Sequence, residues 1–255
     1  MKHSVADLRE TVYQYYPRGL TMDDPGYTKT EAYCRLSAAR RGAGVEKQKW
    51  NALLDRADAR FPEHSPVNRS LHLLMGTMDA AYSGYICLDV TPPGPARRPT
   101  RWWEHPPGPH TVGFLVSFIC PYYVIYGSRY IDDIEETEAA LRAPRREAVD
   151  IYAGDTMYVV PASVVKPEIR AAAEREDQER RQHLQRHPLQ RRVIAFDPSP
   201  EEKSYVDWLA RDIEATFGCE PMPPEVGNLI VPDVATNNRG LGEARLYDCL
   251  LSDEW

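Results

Sequence analysis

The sequence predicts an α+β fold, with a central, mostly antiparallel sheet covered by N-terminal helices and a C-terminal helix. Three observations carry this expectation. Apolar residues recur at helical spacing through the first sixty positions and again over 199–217. Between them stand two continuous β-branched and aromatic runs, TVGFLVSFIC and YYVIYGSRYI, broken at Pro121. Proline and glycine then punctuate the chain between these segments, as turns require.

In chain order, Val5, Leu8, Val12 and Tyr15 or Tyr16 fall on one helical face, and Pro17-Arg18-Gly19 ends that segment. A second helix is read over 28–41, closed by Gly42 and Gly44. A third runs over 46–61, with Trp50, Leu53, Leu54 and Ala57 on one face and Pro62 as its stop. SLHLLMGTM and YSGYICLDV alternate in part, so strands are expected there, Ile86, Leu88 and Val90 pointing one way; a helix through 66–82 competes. Residues 91–110 are too rich in proline to form the interior of any regular element and read as a surface loop.

The two apolar runs that follow are taken as the centre of the sheet, and their continuous apolarity predicts cover on both faces. MYVV at 157–160 and RRVIAF at 191–196 add candidate strands. Between them, 167–187 forms a helix dense in acidic residues and arginines, hence a solvated one, ended by Pro188. The helix over 199–217 repeats Tyr205, Leu209, Ile213 and Phe217 every four residues and stops at Gly218. The tail is expected to pack, because Leu246, Leu250, Leu251 and Trp255 are costly to leave in water. No internal repeat and no linker separating two cores is evident, so the reading is one α+β domain over 1–255 with a surface loop at 91–110.

Composition narrows the function classes. A formal net charge of -7 repels a phosphate backbone, so nucleic acid is not the expected partner. The N-terminus carries charge throughout and lacks a secretory apolar core, and the most membrane-like stretch, 111–127, is short and interrupted by Pro121. A cytoplasmic protein without membrane association is expected. The five cysteines, at 34, 87, 120, 219 and 249, form no CxxC pair and read as reduced, mostly buried thiols.

Familiar catalytic spacings are missing. Gly240-Leu241-Gly242 lacks the third glycine and the Lys-Ser/Thr pair of a phosphate loop, and neither HExxH nor G-x-S-x-G occurs. His105 and His110 flank prolines and read as exposed loop histidines. Cys120 lies in the most apolar part of the chain, where burial raises a thiol pKa and blunts reactivity. No cofactor and no metal is expected.

Two features rise above this background as a partner-binding surface. One is the acidic run Asp132, Asp133, Glu135, Glu136 and Glu138, five carboxylates in seven residues. It reads either as a solvated loop or first helical turn, or as a patch that steers a basic partner. The other is Trp102-Trp103 in the proline-rich loop, apolar anchors if exposed and core residues if folded back.

The C-terminal segment GNLIVPDVATNNRGLGEARLYDCLLSDEW, in an acidic, Trp- and Tyr-rich α+β chain, resembles bacterial immunity proteins of polymorphic and contact-dependent toxin systems. That resemblance implies a protein that binds a toxin domain in the cell that makes it, blocks its active site and needs no cofactor. It transfers no site residues: Gly227, Asn228, Pro232, Asp233, Asn237, Gly242 and Asp248 serve equally well as turn and packing determinants. The leading expectation is therefore a non-enzymatic binding protein that neutralises a partner, such as a basic toxin domain. The alternatives are an enzyme with an acid-base centre of His72, Asp79 and Asp132, and a scaffold subunit presenting the charged helix 167–187.

Overall fold

The computed structural model describes residues 3–42, 44–62, 80–88, 110–143, 148–153, 156–161 and 164–253. The chain divides into two compact units. The first contains the described residues of Met1–Thr91, Pro109–Arg129 and Ile194–Trp255; the second contains those of Pro92–Gly108 and Tyr130–Val193.

The first unit opens with α1 (Val5–Tyr15). Ser4 caps it through a reciprocal box, its hydroxyl accepting from the Asp7 amide while the Asp7 carboxylate accepts from the Ser4 amide at 2.8 Å. A 3₁₀ turn (Tyr27–Lys29) leads into α2 (Glu31–Gly42), and α3 (Gly44–Arg60) follows. On α3 the buried face is Trp50, Leu53, Leu54 and Ala57, the stripe that the apolar period predicts.

The sheet contains β1 (Ala81–Cys87), β2 (Thr111–Ser117) and β3 (Tyr122–Asp132), antiparallel to one another, with β6 (Gln190–Ala195) beyond β3. A short β7 (Glu220–Pro221) joins β3 in parallel. It is a mostly antiparallel five-stranded sheet in an α+β fold, as the sequence predicts. Two glycines thin it locally. Gly84 pairs with Phe114, and Gly113 pairs with Tyr126; in each case the partner's ring lies over the glycine, where an added Cβ would come within 2.6 Å and 2.4 Å of it. The glycines make room for aromatic rings lying flat on the strands.

Both faces of this sheet are covered over β1, β2 and the first half of β3, while β6 and the end of β3 are largely exposed. Leu115, Tyr122 and Val124 pack with Leu8, Val12 and Tyr16 of α1, Leu36 of α2 and the tail residues Val231, Val234, Leu246, Leu250 and Leu251. On the opposite face Tyr82, Ile86, Val112, Phe114 and Val116 pack with the α3 stripe and with Leu209 and Ile213 of α6 (Lys203–Phe217). The N-terminal helices are thus shared between the faces: α3 joins α6, and α1 and α2 join the tail. Trp50 is the hub of the second cluster, its ring centroid 5.4 Å from those of both Tyr82 and Phe114. Gly218, at φ 67°, ends α6 in the left-handed conformation that glycine favours. The tail contains α7 (Pro224–Gly227) and α8 (Leu246–Leu250), and every residue of α8 is buried.

The second unit contains the end of β3, α4 (Ile134–Arg142), the antiparallel hairpin β4 (Ala148–Ala153) and β5 (Thr156–Pro161), α5 (Pro167–Arg186) and the start of β6. Arg181 of α5 donates to the Leu141 and Ala143 carbonyls, satisfying the end of α4, and is itself held by Asp177 at 2.8 Å. Thr137 is buried: its hydroxyl donates to the Asp133 carbonyl and accepts from the Leu189 amide.

Among the described residues no helix is long and apolar enough to cross a membrane. All five cysteines are free thiols, but only Cys219 and Cys249 are fully buried, and Cys34 is exposed, which corrects the expectation of mostly buried thiols. Burial pushes the Cys120 thiol up to about 11, in line with an unreactive sulfur. The strand or helix expected at 66–79, the loop at 91–109, Val90 and Trp255 lie outside the described residues.

Candidate functional site

The acidic run marks the passage from strand to helix. Asp132 is the last residue of β3, Asp133 is the N-cap of α4, Glu135 and Glu136 lie in the first turn, and Glu138 lies one turn on. Early carboxylates suit the positive end of a helix, so a run without apolar periodicity still folds as one.

The five carboxylates are not equivalent. The Asp133 side chain accepts from the Glu136 amide at 3.0 Å and faces Arg191 at 3.7 Å, so it is engaged in holding the helix start. Asp132 accepts from the Gln190 side-chain amide at 3.2 Å. Glu138 pairs with Arg142 four residues on. Glu135 and Glu136 remain, exposed and with no ion pair among the described residues. Between Asp133 and Glu135 stands Ile134, 53% exposed, and Tyr130 near the end of β3 is 40% exposed.

Trp102 and Trp103, the other half of the expected surface, lie outside the described residues, as do His72 and Asp79. Of the alternative acid-base centre only Asp132 is described, and it is exposed and bonded to Gln190. No group of three or more His, Cys, Asp or Glu residues among the described residues is placed to hold a metal ion.

Three polar constellations stand in the first unit, of which the sequence reading singles out only Asp248, as a candidate packing residue. His110 is half-buried rather than exposed, and its Nε2 lies 2.7 Å from Oε1 of the buried Glu202; the histidine is anchored by residues 92 positions away. The other Glu202 oxygen accepts from the Ser199 amide at 2.7 Å. Burial alone would raise the Glu202 carboxyl, but the hydrogen bonds from His110 and Ser199 outweigh it and hold the group below its ordinary value. Gly127 provides the space: a Cβ there would stand 2.3 Å from a Glu202 oxygen.

The second constellation is Asp248, whose side chain is fully buried. Arg245 grips it through Nε and Nη2 at 3.0 and 2.8 Å, and Arg239 approaches to 3.8 Å. The third is Asp253, buried, which accepts from the amide and side chain of Asn238. Asp233 similarly binds Arg18 at 2.5 Å, and Gly242 adopts a positive φ of 82°. Asp233, Asp248 and Asp253 therefore serve packing in the described fold. The signal for one was present in the sequence, as the three-residue spacing of Arg245 and Asp248.

Comparison with models of protein families, with curated proteins and with solved structures finds no match to this chain.

Proposed function

We propose that the protein is a non-enzymatic binding protein that neutralises a partner, and specifically an immunity protein that blocks a cognate bacterial toxin in the cytoplasm of the cell that makes it. The observation that carries this reading is the exposed Ile134 set between carboxylates, two of which, Glu135 and Glu136, are not used by ion pairs within the described fold. A basic toxin domain complements that surface in charge, and the apolar side chain supplies the desolvated contact that charge alone does not. The Trp102-Trp103 loop contributes a second anchor in this proposal, and Asp132, Asp133 and Glu138 extend the acidic field.

The test is affinity purification of the tagged chain from its native host at low salt, with mass spectrometry of the eluate. It is repeated with Glu135→Gln/Glu136→Gln, which spares the helix cap. A stoichiometric partner carrying a toxin-like domain, reduced in the variant, is the expected result. Absence of any stoichiometric partner while the toxin is expressed would contradict the proposal.

A further inference from the structure

The last turn of α5 carries His183, and His187, four residues on, is the C-cap with extended backbone, so the two imidazoles flank the end of the helix. Their ring centroids are 4.7 Å apart with 36° between the planes. The backbone that sets this spacing is fixed: the His187 amide, at the C-cap, donates to the His183 carbonyl at 2.8 Å, and Pro188 follows directly. Among the described residues neither ring makes a side-chain hydrogen bond or ion pair, so no protein contact there competes for the imidazole lone pairs. His183 is half-buried, which restricts its rotamers, while His187 is exposed.

The centroid separation falls in the range of shared coordination, which also requires one nitrogen of each ring to turn toward the ion. Two imidazoles on one ion, at metal–nitrogen distances of about 2.0–2.1 Å, place their centroids about 4.5 Å apart at a right angle and about 5.2 Å apart at the tetrahedral angle. The observed 4.7 Å falls between them. The electrostatics favour a cation on one count and oppose it on another. The carbonyl end of α5 attracts positive charge, whereas Arg186 beside the pair repels it; Arg180 is engaged with Asp177.

We infer that His183 and His187 form a two-point clamp for a borderline divalent transition ion such as Zn²⁺, Ni²⁺ or Cu²⁺, the ions that imidazole nitrogen suits. The described residues supply no third ligand, so water completes the coordination and the site is exchangeable rather than structural. The inference is independent of the proposed function and departs from the metal-free expectation drawn from sequence.

The test is a Zn²⁺ titration of the full chain, thiols kept reduced, followed by NMR of histidine side chains labelled with ¹⁵N. The expected result is joint movement of the His183 and His187 resonances, saturating at one ion per chain. His183→Ala and His187→Ala each weaken that binding by roughly 10-fold or more, because one-point attachment loses the effective concentration of the second ring. The double variant abolishes it, with the circular dichroism spectrum unchanged. Movement of only one ring, no movement up to millimolar Zn²⁺, or equal Zn²⁺ affinity in wild type and double variant would each overturn the clamp.

Discussion

Asp248 shows what a single charge can do inside this protein. With its side chain fully buried, it is tolerated because Arg245 binds it through two nitrogens and Arg239 stands nearby. Asp248→Asn leaves those cations facing a neutral amide, and we expect it to destabilise the chain by about 3 kcal/mol, measured by urea denaturation. Glu202 presents the same problem in titratable form. Its carboxyl is held below the ordinary value of 4.5, so the stability it contributes is full above that value and is lost as pH falls through the lowered one. Glu202→Gln should therefore lower the melting temperature at neutral pH and flatten its decline between about pH 5 and pH 3; an unchanged acid limb in a thermal scan would contradict this. Gly227 sets a steric limit, since a Cβ there would stand 2.4 Å from the Tyr247 ring. Gly227→Ala is expected to cost about 1–3 kcal/mol in the same denaturation experiment.

At the scale of elements, α4 separates structural from available charge. Asp133→Ala removes the N-cap and should cost about 1 kcal/mol, whereas Glu135→Gln and Glu136→Gln should stay within about 0.5 kcal/mol of wild type. Chemical denaturation of the three variants distinguishes cap from surface. The legibility of the fold also divides by element. The stripe of α3 and the repeat of α6 were readable because each buries one face at a constant period, and β2 and β3 because cover on both faces leaves continuous apolar runs. For the acidic run the sequence left loop and helical turn open, because dense carboxylates erase the apolar period and only the Asp133 cap decides between them. The strand β4 was not anticipated: AVDIYA is short and alternates weakly, and its pairing with β5 is a property of the hairpin. The His110–Glu202 contact joins residues far apart in the chain, which no local pattern encodes. Of the candidate surface, its carboxylates were legible by composition, but Ile134 as the exposed apolar member was not, since exposure depends on which helical face finds a neighbour.

For the molecule as a whole, a net charge of -7 sets a long-range field that accelerates encounter with a basic partner and weakens as salt screens it. At short range the proposed contact is made by Ile134 and its neighbours Glu135 and Glu136, which form no ion pair among the described residues. The most direct test is calorimetric titration of the partner recovered by affinity purification against wild type, Glu135→Gln/Glu136→Gln and Ile134→Ser, at low and at raised salt. A one-to-one complex is expected, which each variant weakens by roughly 10-fold or more, with the charge variant losing part of the salt dependence and all three proteins equally folded. Equal affinity across the three proteins, or no complex at either salt, would contradict it.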